Sequence, residues 1–294
     1  MTDMDDQYEL YLDYQRGAGD PARIFHVTGG MIDALSALDK DLASVISASC
    51  IPHVELSDIE VSSLRTKLRN FLEDLPDEAL KNVDVRRLVG HFLIKAKYAV
   101  IRWCEDKESI DDINEVRSLE EQIENLAHET DIKQLPAYSP IDRRSLLHHI
   151  NSITNILRYL GEHDKLEYRS RFGSAYFNRN LGISADAIMD ILTRELVTSR
   201  EVAILKVKKP DYLGHSKWSV LKDGHPIDVR IADEYWLSEF QIGKVALQPG
   251  DSIRVTLRHD VAYGHNNEVV HVWYEVEDVH EVLPGPGRSQ SVLF

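Results

Sequence analysis

Hydrophobic and polar residues follow two different periods along this chain, and the change lies near residue 199. Before it, apolar residues mostly recur at steps of three and four, the spacing of helices with one buried face. After it, short apolar runs alternate with polar residues between turn signals, which predicts β-strands. The pattern divides the 294 residues into a largely helical front and a β-rich C-terminal part.

The N-terminal segment begins with the period of a strand. Apolar and polar residues alternate from Tyr8 to Tyr14, which predicts a half-buried strand. Asp20 followed by Pro21 is typical of an N-cap and a first helical residue. We therefore expect a helix from there to about Ile46, with a break at Gly29 and Gly30.

Two further segments complete a first domain. The β-branched and alternating residues of 51–60 and 61–71 predict strands, or a strand that leads into a helix. Residues 1–80 are thus expected to form a small α+β unit.

The region 81–198 is expected to be helical. Ser139 before Pro140 predicts the start of one helix, and Ser184 is a candidate N-cap for another. The last of its apolar stripes keeps heptad-like steps, so each stripe needs a partner surface. The stripes lie in the windows 85–103, 116–126 and 146–160.

Residues 199–283 are expected to form a β-rich, barrel-like domain. Asp223-Gly224 predicts a hairpin turn, Asp233 can cap a helix and Gly243 can end it. The resulting order is three strands, one helix and two strands, which matches a five-stranded OB-type barrel and also other small barrels or sandwiches. The expected fold class is α+β, with a small α+β unit and a helical region followed by this barrel.

The C-terminal tail, residues 284–294, ends in three apolar residues. An apolar chain end is expected to be held, either on its own chain or by another subunit or protein. The candidate partner-docking residues are Val292, Leu293 and Phe294.

Charge is unevenly distributed along the chain. The 34 Lys and Arg residues against 49 Asp and Glu residues give a formal net charge of -15, which disfavours unspecific adhesion to nucleic acid or to anionic membranes. Residues 194–222 depart from this average, with 7 basic against 3 acidic residues. This local excess makes the start of the barrel a candidate site for an anionic partner.

The two cysteines and the N-terminus bear on the compartment. Cys50 and Cys104 match no zinc or redox spacing and are expected to be buried thiols in a reducing cytoplasm. The segment Met1–Asp6 is acidic, and the sequence has no run of 18 apolar residues. We expect a cytoplasmic protein with no membrane partner.

Several motifs approach known chemistry without completing it. Residues 17–22 satisfy Gly-x-Gly-x-x-Ala, but Asp20 would place a carboxylate where a pyrophosphate binds, so a turn with an N-cap is favoured. Ser219 and Lys222 have the Ser-x-x-Lys spacing on a predicted strand, where alternation puts them on opposite faces. These patterns predict no reaction centre.

The C-terminal histidines are a further candidate set, as metal ligands. Their spacing includes no His-Glu-x-x-His and no cysteine, so we expect neither a metal nor another cofactor. The residues concerned are His215, His225, His259, His265, His271 and His280.

Basic and aromatic residues of the barrel form the strongest candidate binding set. In an OB barrel, the loops 209–216 and 261–267 would flank the ligand face. Aromatic rings there can stack on bases while lysines neutralise phosphates, although an ordinary solvated strand edge explains the same pattern. The candidates are Lys206, Lys208, Lys209, Tyr212, Lys217, Trp218 and Tyr263.

In its overall layout the chain resembles uncharacterised bacterial proteins with a helical N-terminal region and a β-rich C-terminal domain. The resemblance rests on Asp58-Ile59-Glu60 leading to Ser63-Leu64, on Ala96-Lys97-Tyr98, and on the segment Ala203–Pro210. It implies no activity and no site residues.

Two functions remain from these observations. The first is a non-catalytic cytoplasmic protein-interaction or assembly component, either a homo-oligomer or part of a larger complex. The second is binding of single-stranded nucleic acid or oligonucleotides by the C-terminal β domain. A metal-dependent hydrolase that uses the C-terminal histidines ranks last.

Overall fold

The chain folds into two units, Met1–Ile191 and Leu192–Phe294. The computed structural model describes residues 7–46, 50–60, 64–72, 83–129, 140–248 and 250–285. One five-stranded sheet with helices belongs to the first unit, and a closed five-stranded barrel belongs to the second. The expected α+β class with a C-terminal barrel is confirmed. The tail residues Val292, Leu293 and Phe294 lie outside the described residues.

The sheet of the first unit is antiparallel, with the strand order β2-β3-β1-β4-β5. Strand β1 is central because alternating Tyr8, Leu10 and Leu12 are all buried on one face. The elements of this unit are β1 (Gln7–Asp13), α1 (Ala22–Ile46), β2 (Pro52–Glu60), β3 (Leu64–Leu72), α2 (Val83–Cys104), α3 (Ile113–His128), α4 (Arg143–Leu157), β4 (Lys165–Ser170), β5 (Gly173–Tyr176) and α5 (Ala185–Leu192).

The expected boundary at residue 80 does not separate two units. Strand β1 pairs with β3 on one side and with β4 on the other, so strands from residues 165–176 join the N-terminal sheet. The helical region predicted for 81–198 therefore contains two strands and the start of a third. These strands form by pairing between residues that are distant in sequence, and local periodicity does not reveal such pairing.

Helix α1 continues through the predicted break at Gly29 and Gly30, so that prediction is wrong. Asp20 Oδ1 accepts a hydrogen bond from the Ala22 backbone N–H at 2.9 Å, as expected for an N-cap. A Cβ atom at Gly30 would lie 3.3 Å from the Ile156 side chain of α4. The glycine therefore allows α4 to pack closely on α1 rather than ending the helix.

Helix α4 begins later than predicted. Its N-cap is Asp142, which accepts a hydrogen bond from the Ser145 N–H at 2.8 Å, whereas Ser139 lies outside the described residues. The prediction for α5 is confirmed, because Ser184 Oγ accepts from the Ala187 N–H at 3.0 Å. The heptad-like stripe of α4 is buried within the first unit, at Leu146, Ile150, Ile153 and Leu157.

A buried ion pair joins α1 and α2 beneath the sheet. Lys97 Nζ lies 2.7 and 2.6 Å from the two carboxylate oxygens of Asp39, and both side chains are 1% exposed or less. With its amide oriented to satisfy both partners, Asn70 of β3 donates to Asp39 at 3.3 Å and accepts from Lys97 at 2.7 Å. The pair is thus linked by hydrogen bonds to the sheet.

Aromatic rings enclose this ion pair. Lys97 Nζ lies 4.2 Å from the centre of the Tyr8 ring, which stacks on Tyr168 at 5.2 Å. Burial raises the pKa of Asp39 and lowers the pKa of Lys97, because desolvation disfavours both charged forms, and their mutual attraction opposes both shifts. The ionised form of each residue is therefore stabilised by the charge of the other.

The second unit is a barrel with the strand order β10-β8-β7-β6-β9, closed by pairing between β9 and β10. The β8–β10 pair is parallel and the others are antiparallel, and one helix lies between the third and fourth strands, which is the connectivity of an OB-type barrel. Its elements are β6 (Glu195–Lys209), β7 (Trp218–Lys222), β8 (His225–Ile231), α6 (Glu234–Gln241), β9 (Ser252–Tyr263) and β10 (Val269–Leu283).

Local signals in the barrel act as predicted. Asp223 and Gly224 have φ values of 50° and 81°, as a two-residue hairpin turn requires. Asp233 caps α6 by accepting from the Trp236 N–H at 2.9 Å, and Gly243 follows the helix with φ 80°. Strand β6, however, begins at Glu195, before the predicted start of the β-rich domain at residue 199.

We expect Lys97→Met to lower the free energy of unfolding by about 3–5 kcal/mol, because it leaves the Asp39 carboxylate buried without its cation. Adding Asp39→Leu should recover much of that deficit, since no uncompensated charge then remains. Urea denaturation followed by circular dichroism measures both. Lys67→Met is the matched control, because Lys67 pairs with Asp58 and Glu60 at the surface and should change stability far less than Lys97→Met. Equal destabilisation by the two lysine substitutions would contradict this role.

Candidate functional site

Three strands of the second unit pair with one another over a longer stretch than β6 pairs with β7. Strand β6 pairs with β7 only from Leu205 to Lys209, but it pairs with β9 from Glu195 to Lys206 without a register shift. Strand β10 continues alongside β9 as far as Val269. This three-stranded extension, which we call the ribbon, consists of residues 195–204, 254–263 and 269–281.

One edge of the ribbon is open. In the described part of the chain, no strand pairs with β6 on the side opposite β9 before Leu205. Side chains alternate along β6, and Ala203, Leu205 and Val207 point into the barrel core. Leu196, Val202 and Ile204 belong to the opposite face and are 56%, 61% and 57% exposed. The open edge therefore carries exposed apolar side chains.

The remaining sheet edges of the molecule carry the usual protection against pairing. Strand β2 has Pro52, a bulge between Leu56 and Asp58, and acidic side chains. Strand β10 has three register shifts against β9, and β5 has four residues and packs near α2. The segment Glu195–Val202 of β6 has no proline, no lysine and no bulge, and its charged residues are Glu195, Arg200 and Glu201. It is the least protected of these edges.

Arginine–carboxylate pairs cross the outer face of the ribbon. Arg200 Nε lies 2.8 Å from Glu277, and Arg258 lies 3.1 Å from Glu275. The hydrogen bond from Arg200 lowers the pKa of Glu277, which keeps that exposed carboxylate ionised. These pairs neutralise the arginines of the basic segment, so the ribbon itself is no cationic surface.

The four lysines of the predicted binding set behave differently. All four are exposed, and none forms an ion pair within the described residues. They are Lys206, Lys208, Lys209 and Lys217. The other seven basic residues of 192–285 each pair with an acid, namely Arg194, Arg200, Lys222, Arg230, Lys244, Arg254 and Arg258. Unneutralised positive charge is concentrated around the β6–β7 loop.

That loop, residues 210–217, is held by one carboxylate. Asp211 accepts hydrogen bonds from the backbone N–H groups of Leu213, Gly214 and Ser216 and from the Ser216 hydroxyl, at 2.6 to 3.1 Å. These donors, the Ser216 hydroxyl foremost, lower the pKa of Asp211 to about 2. The loop conformation thus depends on an ionised side chain.

The aromatic candidates do not assemble into one face. Tyr212 is 49% exposed and packs on Phe240 of α6, with ring centres 5.2 Å apart. Trp218 is buried in the barrel core against Trp236 and Phe240, so it offers no ring surface to a ligand. Only Tyr212 remains available beside the lysines.

Tyr263 lies at the opposite end of β6 from these residues. It pairs with Glu195, whereas Lys209 is the last residue of β6 before the β6–β7 loop, and about 45 Å of strand separates the two ends at 3.3 Å per residue. The two loops expected to flank one ligand face are therefore distant along the strand. The length of β6, which periodicity underestimated, is the reason.

The open edge at Glu195–Val202 did not follow from the sequence, although a local signal exists there. Leu196, Val197 and Thr198 are a short run typical of strands. Whether that strand is exposed depends on which other strands pair with it, and the run itself does not specify them.

The first unit offers no dinucleotide site at residues 17–22. Gly17 and Gly19 adopt φ 75° and 64° in the turn between β1 and α1, and Asp20 caps the helix. Strand β1 lies between two antiparallel neighbours rather than in a parallel βαβ unit. The turn with an N-cap, favoured from the sequence, is confirmed.

Metal, thiol and membrane chemistry find little support in the described part of the chain. There, no three His, Cys, Asp or Glu side chains are grouped closely enough to hold a metal ion. Cys50 and Cys104 are both free and buried, as expected. None of the described helices is long and apolar enough to cross a membrane.

We expect Ser216→Ala to raise the pKa of Asp211 from about 2 towards the ordinary value of 3.8, because the hydroxyl is the largest stabiliser of the carboxylate. A depressed folded-state pKa means that the loop is stabilised by the ionised form at neutral pH and loses this contribution as pH falls through about 2. An NMR titration of the carboxyl carbon measures the shift. Ser219→Ala on β7 is the control, and an unchanged Asp211 pKa in Ser216→Ala would refute the assignment.

No protein-family model, no curated protein and no solved structure matches the chain. Similarity to a known protein therefore contributes nothing to the choice of function. The ribbon edge and the lysines beside the β6–β7 loop are the two features from which a function can be inferred.

Proposed function

We propose that this protein is a non-catalytic protein-interaction or assembly component that acts through the open edge of β6. The observation that carries the proposal is the contrast between this edge and the protected edges of β2 and β10. Unpaired backbone N–H and C=O groups on an exposed apolar strand are a template for another strand. A protein that protects its other edges and leaves this one open has an interaction site there.

The chemistry of strand addition fits the segment Leu196–Val202. Backbone hydrogen bonds from an added strand supply affinity, and alternating side chains supply specificity. Leu196 and Val202 would contact the partner on one face, while Val197 and Glu201 would contact it on the other. The arginine–carboxylate pairs on β9 and β10 stay satisfied during this pairing, because they lie on neighbouring strands.

The cytoplasm is the compartment that we propose for this function. The buried, unpaired thiols of Cys50 and Cys104 support it, because oxidising compartments favour disulfides. Burial raises their pKa values to about 11 and about 12, so neither thiol is reactive at neutral pH.

The proposed function predicts that Val202→Lys removes binding partners. Tagged wild-type protein, incubated with lysate from its native organism, should retain proteins that the Val202→Lys variant does not, because a charge replaces an apolar contact at the open edge. Leu56→Lys on the protected edge of β2 is the matched control, since Leu56 is similarly exposed. Light scattering coupled to size exclusion measures self-association in the same samples. A strict monomer with identical capture by wild type and Val202→Lys would overturn the proposal.

The second candidate function is binding of single-stranded nucleic acid at the β6–β7 loop. The observation that favours it is the group of four lysines without ion pairs in the described chain, next to the half-exposed ring of Tyr212. Lysines neutralise phosphates and release counterions, while an aromatic ring stacks on a base. The burial of Trp218 and the distance to Tyr263 restrict this site to one loop rather than a whole barrel face.

For this candidate, Lys208→Ala combined with Lys209→Ala should weaken binding of a labelled single-stranded oligonucleotide at low salt. The slope of log affinity against log salt should fall by about 0.7 for each phosphate that the variant no longer neutralises. Fluorescence anisotropy measures both quantities. Lys244→Ala is the control, because Lys244 already pairs with Glu239. If the wild-type protein binds no oligonucleotide at low salt, nucleic-acid binding is excluded.

A further inference from the structure

We propose that the open edge of β6 pairs with the same edge of a second copy of this chain, in antiparallel orientation, with the two-fold axis at Ser199. The proposal deepens the proposed function and rests on it, since it names the partner. Seven residues from each chain, Leu196–Val202, would form the pair. The product is one continuous sheet built from the two ribbons.

Symmetry limits the registers that such a pair can adopt. A two-fold axis perpendicular to the sheet keeps each side chain on its own face. Residues directly opposite each other must also share a face, because side chains alternate along a strand. Both conditions hold only when one residue lies opposite its own copy. The axis must therefore pass between two copies of a single residue.

Repulsion between like charges excludes the two registers whose axis lies just before Ser199. With the axis at Val197, Arg194 would face Arg200 of the second copy. With the axis at Thr198, Glu195 would face Glu201. Like charges directly opposite each other destabilise a strand pair.

The two registers beyond Ser199 fail for the same reason. An axis at Arg200 or at Glu201 places that charged residue opposite its own copy. Only the Ser199 axis, of these five, opposes no like charges. Among the registers centred on residues 197–201, self-complementarity of the segment therefore points to a second copy paired about Ser199.

The Ser199 register also buries the exposed apolar side chains. Each Leu196 lies opposite Val202 of the other chain, so the pair forms twice on the outer face. Thr198 faces Arg200, whose guanidinium remains bound to Glu277 at 2.8 Å. On the other face the two Ser199 side chains meet at the axis.

The barrel sets the length of this pairing. The β7–β8 hairpin approaches β6 at the end of this segment, where Lys222 lies 3.1 Å from Glu201. Strand β7 then takes over the edge from Leu205. A pair of seven residues per chain is short, so the dimer is expected to form at high protein concentration and to dissociate on dilution.

A cysteine placed at the axis tests the register. Ser199→Cys should form disulfide-linked dimers under mild oxidation, because directly opposed Cβ atoms lie within about 4.5–5.5 Å, close to disulfide geometry. Val197→Cys is the matched control on the same face of the same strand. In this register its copies are four strand positions apart, about 13 Å, and should not cross-link.

Wild-type protein supplies the background for this experiment, because Cys50 and Cys104 are buried. Cross-linking of Val197→Cys equal to that of Ser199→Cys would overturn the register. Absence of a dimer in every variant would overturn the self-pairing itself.

Light scattering over a concentration series provides a readout without engineered cysteines. The monomer mass is 33.6 kDa. Wild type and Leu56→Lys should approach twice that mass at high concentration, and Val202→Lys should remain monomeric. Circular dichroism melting checks that Val202→Lys is folded. If wild type is monomeric throughout but captures a protein that Val202→Lys does not, the inferred dimer is wrong and the proposed function stands.

Discussion

The lengths of the strands that close the barrel constrain everything that the second unit offers to a partner. Strand β7 has five residues and β8 has seven, whereas β6 and β10 have 15 each. A closed barrel can use only as much of the long strands as the short ones can pair. Among the described residues, the remainder of β6 is therefore paired with β9 only, and its backbone groups on the other side have no strand partner. The ribbon and its open edge follow from this mismatch.

The distribution of charge in the second unit follows from the same geometry. On the ribbon, β9 and β10 place arginines and carboxylates on adjacent strands, where pairs such as Arg254–Glu281 and Arg258–Glu275 form. Around the β6–β7 loop, the carboxylate of Asp211 is occupied by the loop's own N–H groups and cannot neutralise the lysines. The local basic excess of the sequence thus becomes two regions, one neutralised and one cationic.

The first unit shows how packing can remove a candidate interface. The stripe of α4 keeps heptad-like steps, which indicated that it needs a partner surface. In the structure, residues such as Leu146 and Ile150 are buried against elements of their own unit, with Gly30 allowing α1 to approach. The Asp39–Lys97 pair lies in the same interior. It favours one packing arrangement of the helices on the sheet, because each charge is stabilised only when the other is in place. The stripe of α4 is therefore part of the interior of the first unit, and the interaction surface that we propose is a strand edge instead.

The sequence by itself determined the elements whose signals are local. The α+β class, the Asp20 and Asp233 caps and the Asp223-Gly224 turn follow from side chains that act within a few residues. The succession of three strands, one helix and two strands was also predictable, whereas the spatial order β10-β8-β7-β6-β9 differs from the order along the chain. Only the tertiary structure decided that β4 joins the N-terminal sheet, that Trp218 is core rather than ligand surface, and which edge of β6 stays open. Those outcomes depend on which distant strands pair and where pairing stops, and residue spacing along the chain carries no record of either.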